Sequence, residues 1–258
     1  MCRFVAYAGE PLSPAPLVFG GSHSLYRQSF LPREMLSGSV NADGYGIGWY
    51  RDGRPVRVAE ARPIWHDPDL RDLLSAVTST NIVAFLRNAT PGLPVDRAAV
   101  APFLFERWSF GLNGFLANFR RSTMRTLHAL LPDALYAELG GVSDSQALFL
   151  LVIARLQTGA TATEALAQVV EIGLGAARDA GVSAQLNMVL SDGDDIVLSR
   201  TGSEEATNSL YLARGAALAP GGVVAASEPL DGESHWEAVP SHAMVCLVPG
   251  EEPDVMRL

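Results

Sequence analysis

Short apolar segments, separated by turn residues, dominate the first half of the chain. The segments FVAYA, NIVAFLRNAT and RWSFGLNGFLANF have the length and the β-branched or aromatic content typical of strands. A Pro-rich segment, EPLSPAPLVFGG, and then a polar loop follow the first of these strands. Two more β-like segments surround Asp52-Gly53, the strongest short hairpin signal. This half of the chain therefore predicts antiparallel sheet.

Helical spacing replaces the β pattern after about residue 122. Three segments carry it: TMRTLHALLP, SDSQALFLLVIARLQTG and TATEALAQVVEIGLGAARDAG. Ser143 stands three residues before Gln146, and Thr161 stands three residues before Glu164. Each pair is a capping-box pattern at the start of a helix. Because only TGA links the last two segments, we expect them to form an αα-hairpin.

The chain then returns to β character, with four segments: QLNMVLSDGDDIVLSRTG, LYLA, VVAASEP and MVCLVPG. The first is a hairpin around an Asp-Gly turn. Strands on both sides of a helical pair, without regular βαβ alternation, favour antiparallel sheets covered by helices over a doubly wound parallel sheet. We therefore expect an α+β fold. The chain has no internal repeat, and one domain over residues 1–258 is ordinary for this length.

Composition narrows the classes of function. The formal net charge of −9 and the pI of about 5.0 disfavour a general affinity for nucleic acid or for an anionic membrane. No apolar stretch reaches the roughly 18–20 residues of a membrane span, and there is no secretory segment. Cys2 and Cys246 alone cannot form a disulfide framework or a thiolate zinc site. We expect a soluble cytoplasmic protein.

Metal and nucleotide sites find no support in the sequence. The five histidines show no spacing typical of a ligand pair, so we expect no metal and no cofactor. Gly44, Gly46 and Gly48 do not have the dinucleotide-binding spacing, and alternate glycines instead favour close approach of another backbone or a ligand. There is no GxSxG segment of the α/β-hydrolase type.

Cys2 is the strongest chemical signal, because of its position. If Met1 is removed, its thiol gains its own α-amino group as a neighbour. An α-amine with an ordinary pKa of about 7.7–8.0 can accept the thiol proton near neutral pH. One residue then supplies both nucleophile and base. The alternative is that Cys2 is only a small residue packed in the first strand.

An amide hydrolase with this nucleophile needs three further groups. Asn113-Gly114 offers a side-chain amide and a backbone N–H to an oxyanion, or else forms a plain turn. Arg87 offers a forked cation to a carboxylate, or else is a solvated charge at a strand end. Asp144 offers an anion to an ammonium, or else only stabilises the first turn of a helix, whose dipole keeps it ionised.

Together these segments resemble the class II glutamine amidotransferases, which are N-terminal-nucleophile hydrolases. MCRFVAYAG is similar to the start of that family, NADGYGIGW to its glycine-rich hairpin, LRNATPG to its R-x-A-T-x-G block, LNGFLANF to its Asn-Gly block and SDSQALFLLV to its S-D-[ST]-[EQ] helix start. They occur in the family's order. The segments SHSLYRQSFLPREMLSGSVNADGYGIGWY and VVAASEPLDGESHWEAVPSHAMV resemble the branch that removes a γ-glutamyl group in ergothioneine biosynthesis.

The resemblance implies a four-layer αββα sandwich of two antiparallel sheets between helical layers. It implies that Cys2 is the nucleophile, that Asn113 and Gly114 form the oxyanion hole, and that Arg87 and Asp144 hold the α-carboxylate and α-ammonium of the substrate. It also places Thr90, in the R-x-A-T-x-G block, at the substrate. Leu112 departs from the family, because many members have His before the Asn-Gly pair.

The implied reaction is hydrolysis of a small-molecule γ-glutamyl amide, for example γ-glutamyl-hercynylcysteine sulfoxide, through a thioester. Two alternatives stay open: a glutaminase subunit that supplies ammonia to a separate synthetase, and a catalytically silent binding relative. A homo-oligomer is also compatible with the sequence. The side chains that we expect to contact the leaving group or to lie on a loop near it are His23, Gln28, Asp43 and Trp49.

Overall fold

The computed structural model describes residues 2–89, 95–232 and 235–258. The strands are β1 (Arg3–Leu12), β2 (Tyr45–Arg51), β3 (Arg54–Glu60), β4 (Ser79–Leu86), β5 (Phe103–Phe105), β6 (Trp108–Leu116), β7 (Ala184–Ser191), β8 (Ile196–Arg200), β9 (Tyr211–Arg214), β10 (Gly222–Ala226), β11 (Glu237–Ala238), β12 (Ala243–Leu247) and β13 (Asp254–Arg257). The helices are α1 (Pro14–Phe19), α2 (Leu25–Gln28), α3 (Leu70–Ser75), α4 (Met124–His128), α5 (Asp133–Tyr136), α6 (Asp144–Gln157) and α7 (Ala162–Asp179).

The strands form two sheets. The first has seven strands in the order β11-β9-β10-β1-β4-β2-β3, and the second has six in the order β13-β12-β8-β7-β6-β5. Every pair of neighbouring strands is antiparallel. This confirms the prediction of antiparallel sheets, and it rules out the doubly wound alternative.

Side-chain alternation along β1 shows how the layers are stacked. Val5 and Tyr7 belong to the apolar cluster that packs the seven-stranded sheet on α1 and α3, whereas Phe4 and Ala6 belong to the cluster between the two sheets. A third cluster packs α6 and α7 on the six-stranded sheet. Because successive strand residues point to opposite faces, burial on both faces puts β1 in an inner layer. The order of layers is helices, sheet, sheet, helices, and the predicted αββα sandwich is confirmed.

Local sequence signals explain several of these elements. β2 and β3 form the expected hairpin, and both turn residues, Asp52 and Gly53, have positive φ. β7 and β8 form the second expected hairpin. The Ser143 and Thr161 side chains accept hydrogen bonds from the Gln146 and Glu164 amides and so begin α6 and α7 where the sequence predicts.

The structure contains one helix that the sequence analysis did not predict, and it excludes one of the alternatives left open there. The Pro-rich segment contains helix α1, which begins at Pro14 because proline is tolerated in the first turn and Ser13 caps it. Asn113-Gly114 is not a turn: both residues lie inside β6, paired with Asn187 and Leu186 of β7. Pairing with a strand about 70 residues later overrides the local turn preference.

The alternate glycines of β2 allow another backbone to approach. A Cβ on Gly46 would lie 2.0 Å from the carbonyl oxygen of Ala101, and one on Gly48 would lie 2.8 Å from Pro102. The close neighbour is therefore the chain at Ala101 and Pro102 and not a nucleotide. Within residues 2–89, 95–232 and 235–258, no helix is long and apolar enough to cross a membrane.

Candidate active site

Cys2 lies at the start of the central part of the seven-stranded sheet. It immediately precedes β1, which is hydrogen-bonded on one side to β10 and on the other to β4. Arg3 is paired with Leu86, the last residue of β4, so Arg87 leaves the sheet beside Cys2. The antiparallel register thus brings together two residues that are 85 positions apart in sequence.

A cleft opens at this point. Its lining includes Cys2, Arg87, Gly114 and Asp144, which the sequence analysis predicts to act together. Cys2 is partly exposed and is a free thiol. The cleft therefore brings a thiol, a guanidinium and a carboxylate together in one cavity.

The backbone of Gly114 presents its N–H to the cleft. Gly114 is opposite Leu186 on β7, but the Leu186 N–H donates to Thr201 O (2.8 Å), so the two residues do not exchange hydrogen bonds. The Leu116 N–H, two residues further along β6, donates to Asp144 Oδ2 (2.8 Å). Because alternate N–H groups of a strand point the same way, the Gly114 N–H points away from β7, towards the side of Asp144.

No side chain fits at position 114. A Cβ there would lie 1.8 Å from the carbonyl oxygen of Gln185 and 3.1 Å from Leu112. The glycine therefore allows the backbones of β6 and β7 to approach closely at this point.

Asn113 lies behind the cleft rather than in its lining. Its side chain is fully buried, and its Nδ2 donates to Ser227 Oγ (3.2 Å), which also accepts the Phe4 N–H (3.0 Å). Its backbone oxygen accepts a hydrogen bond from Asn208 Nδ2 (3.0 Å). An amide has two N–H donors, and Ser227 takes one of them. Ser227 thereby connects the Asn113 amide to the start of β1, two residues after Cys2.

Asp144 is the first residue of α6, and its side chain is only 8% exposed. Its Oδ2 accepts the Leu116 N–H, and its Oδ1 accepts the Ser145 N–H, both at 2.8 Å. Burial raises the pKa of Asp144 above its ordinary value, and these backbone hydrogen bonds oppose the rise. Burial deprives the Asp144 carboxylate of hydration. A cation bound in the cleft would compensate for this loss and favour the ionised form.

Arg87 is held through its backbone. Its N–H donates to Gly44 O (2.8 Å), and its carbonyl accepts the Asp43 N–H (3.0 Å). The Asp43 carboxylate in turn accepts the Ala89 N–H (2.8 Å). These contacts fix the chain at the point where it leaves β4. Thr90 lies outside the described residues, so its predicted place at the substrate stays a prediction.

None of the four residues expected to contact the leaving group or to lie on a loop near it lines this cleft. His23 and Gln28 are buried. His23 Nε2 is hydrogen-bonded to Glu228 Oε2 (2.7 Å), and Gln28 Nε2 donates a hydrogen bond to the His23 carbonyl (3.0 Å). Trp49 packs in the cluster beneath α1. Only Asp43 is close to the site, through its contacts to the chain around Arg87.

Arg3 and Glu228 are charged residues that the sequence analysis missed. They form a buried ion pair beside Cys2, with Arg3 Nε 2.8 Å from Glu228 Oε1. The sequence does offer one sign of this pair: Arg3 begins the apolar strand β1 and Glu228 closely follows the apolar strand β10. A charge buried beside such a strand needs an oppositely charged partner. Among the described residues, no group of three or more His, Cys, Asp or Glu side chains could hold a metal ion.

The arrangement is suited to acyl transfer on a substrate with an amino-acid head. A thiol attacks a carbonyl, and a backbone N–H at a glycine stabilises the oxyanion that results. A buried carboxylate and a guanidinium on the same cleft bind an ammonium and a carboxylate.

Comparisons with known proteins agree with this geometry. The family model described as class II glutamine amidotransferases matches residues 22–217. The "Gamma-glutamyl-hercynylcysteine sulfoxide hydrolase" of Mycobacterium tuberculosis (strain CDC 1551 / Oshkosh) is 31% identical over 95% of this chain and 92% of its own. The protein of the same name from Mycolicibacterium smegmatis is 30% identical over 95% of both chains.

A solved structure shows the same fold. It is a class II glutamine aminotransferase domain protein from Silicibacter pomeroyi, with a TM-score of 0.74 and 23% sequence identity. The superposition covers 99% of each chain.

Proposed function

Because this chain belongs to the class II glutamine amidotransferase family, we propose that it is an amidohydrolase that cleaves a γ-glutamyl amide through a thioester on Cys2. The observation that carries the proposal is the single cleft lined by Cys2, Arg87, Gly114 and Asp144. The names of the mycobacterial relatives make γ-glutamyl-hercynylcysteine sulfoxide, or a similar γ-glutamyl compound, the substrate that we propose.

The substrate head is held by two charges. Arg87 binds the α-carboxylate, since its fork matches the two oxygens, and Asp144 binds the α-ammonium. Asp144 has both oxygens on backbone N–H donors but retains acceptor capacity, because an ionised carboxylate offers about four acceptor positions. Thr90 adds a contact to the same head.

Acylation is the first chemical step. Removal of Met1 frees the α-amine of Cys2, which takes the proton from Sγ as Sγ attacks the γ-carbonyl carbon. The oxyanion accepts a hydrogen bond from the Gly114 N–H, and Asn113, which is buried behind the cleft in this structure, supplies its second Nδ2 N–H once its amide turns towards the oxyanion. The C–N bond then breaks, the proton passes from the α-amine to the leaving nitrogen, and a γ-glutamyl thioester remains.

Deacylation completes the cycle. The α-amine of Cys2 takes a proton from water, whose oxygen attacks the thioester carbonyl. The C–S bond breaks, glutamate leaves, and the proton returns to Sγ. Residues 1–258 act in this scheme as one catalytic unit on a small molecule. We place it in the cytoplasm, because a free thiol at Cys2 persists in a reducing compartment.

The decisive experiment compares two substrates on purified protein whose intact mass shows the loss of Met1. We expect release of glutamate from γ-glutamyl-hercynylcysteine sulfoxide with a higher kcat/KM than from L-glutamine. We also expect a covalent γ-glutamyl adduct after acid quench, absent in the Cys2→Ala variant. Equal or better turnover of glutamine would instead favour an ammonia-supplying subunit. No turnover of either substrate by protein that has lost Met1, or a preparation in which the intact mass shows that Met1 is always retained, would favour a silent binding relative.

A further inference from the structure

The carboxylate of Glu228 is a fully occupied hydrogen-bond acceptor beside the nucleophile. Its Oε1 accepts Arg3 Nε (2.8 Å) and the Glu34 N–H (3.1 Å). Its Oε2 accepts His23 Nε2 (2.7 Å) and the Arg33 N–H (2.9 Å). Glu228 is 1% exposed and Arg3 is fully buried. Burial alone would raise the pKa of Glu228, but the His23 hydrogen bond and the Arg3 charge outweigh it and lower the pKa to about 2.

Arg3 connects this carboxylate to the nucleophile. While Nε is bonded to Glu228, Nη1 donates to the backbone carbonyl of Cys2 (2.9 Å). A guanidinium is planar and rigid, so both bonds fix the position of the Cys2 carbonyl relative to Glu228. This matters at a chain terminus, since a residue with one peptide bond depends on non-covalent contacts for its orientation.

Glu228 also holds the segment that leads to Arg87. The segment 29–43, between α2 and β2, is bonded to Glu228 through two backbone N–H groups near its start. At its end, the Asp43 N–H donates to the Arg87 carbonyl (3.0 Å). One carboxylate therefore contacts both Arg3, next to the nucleophile, and the segment whose end is hydrogen-bonded to Arg87.

Stability alone does not account for such a cluster. Replacing a buried ion pair by apolar residues of similar volume is often neutral or stabilising, whereas removing one partner is costly. A buried charge with four donors is well suited to holding several chain segments in one geometry. Misplacement of a reacting group by about 1 Å can cost about 10²-fold in rate.

We propose that Glu228 and Arg3 are positioning residues that orient the terminal Cys2 for attack, an inference that rests on the proposed function. Neither residue touches the substrate. Their effect is on the acylation rate and not on the affinity for the glutamyl head.

The test uses Arg3→Lys, because lysine keeps the charge opposite Glu228 but cannot make the two bonds of the fork at once. The readout is the rate of thioester formation at saturating γ-glutamyl-hercynylcysteine sulfoxide, per folded molecule, by acid quench and intact mass. We expect a drop of about 10- to 100-fold with KM changed less than about threefold. Glu228→Gln, which removes the anion, should reduce the same rate at least as much.

Tyr50→Phe is the matched control. Its buried hydroxyl lies at the opposite end of β2 from the cleft and bonds Ser109 Oγ (3.1 Å) and Ser191 O (2.8 Å). We expect it to lower the melting temperature without changing the acylation rate. This separates loss of stability from loss of orientation.

The outcomes are distinct. A folded Arg3→Lys variant that acylates at the wild-type rate overturns the inference and leaves the proposed function intact. If both Arg3→Lys and Glu228→Gln fail to fold, the pair is architectural and the inference is also wrong. If the wild-type protein forms no thioester, the proposed function itself fails.

Discussion

Replacement of Asp144 by Asn tests how the cleft recognises an amino-acid head. The carboxylate is almost fully buried, so its pairing with a substrate ammonium is poorly screened by water. Removing one partner of such a pair costs about 2–5 kcal/mol, which corresponds to about 30-fold to a few thousand-fold in kcat/KM. We expect most of this loss in KM, because the ammonium is bound equally before and during the reaction.

The assay compares the γ-glutamyl substrate with its des-amino analogue, a glutaryl amide that lacks the α-ammonium. The wild-type protein should prefer the γ-glutamyl compound by the same factor that Asp144→Asn loses. In the variant, this preference should nearly disappear. A variant that still rejects the des-amino analogue as strongly as the wild type would show that another group binds the ammonium.

Two further measurements accompany this assay. Asn can satisfy only one of the Leu116 and Ser145 N–H donors, so urea unfolding of Asp144→Asn should show a free energy of unfolding lower by about 1–3 kcal/mol.

The pH dependence of activity is the second measurement. Burial raises the pKa of Asp144, and protonation removes the charge that we propose holds the ammonium. The wild-type kcat/KM should therefore fall, as the pH decreases, at a pH above the ordinary aspartate value of 3.8, and Asp144→Asn should lack this acid limb.

Three other substitutions or conditions give direct tests. Asn113→Ala should remain folded with kcat lowered about 10²–10³-fold, and an unchanged kcat would remove Asn113 from the oxyanion hole. Gly114→Ala puts a Cβ 1.8 Å from the Gln185 carbonyl, so we expect a lower melting temperature and loss of turnover, and a fully active variant would contradict the packing. The pKa of Glu228 is lowered to about 2, so the ionised side chain stabilises the fold above the ordinary pKa of 4.5. This stabilisation is lost as the pH falls from 4.5 towards 2. The unfolding free energy should fall more steeply over this range in the wild type than in Glu228→Gln.

The sequence predicts correctly those elements that begin or end at a recognisable turn or capping residue. The Asp52-Gly53 turn and the caps at Ser143 and Thr161 act within a few residues, so the sequence predicts the hairpin and both long helices. Helix α1 escaped prediction because its prolines act as breakers anywhere except in the first turn, which is where they lie.

The positions of the remaining site residues depend on contacts between residues far apart in sequence, which the sequence does not show. The bond between Arg3 and Glu228 joins residues 225 positions apart, and only the order β10-β1-β4 brings them together. The place of Gly114 likewise depends on β7, which explains why a local turn was a reasonable alternative. The resemblance to a family supplied roles for Cys2 and Arg87, but the register of β1 on β4 supplies their proximity.

The position of β1 determines where an affinity tag can be attached. Because β1 is held between β10 and β4, the chain that precedes it begins at a fixed position beside the cleft. An uncleaved N-terminal tag would project from the cleft and convert the terminal amine into an amide that accepts no proton. The C-terminus follows edge strand β13 and ends in the exposed Leu258, so we expect it to tolerate a purification handle. Preparations tagged at the two ends should therefore differ sharply in specific activity.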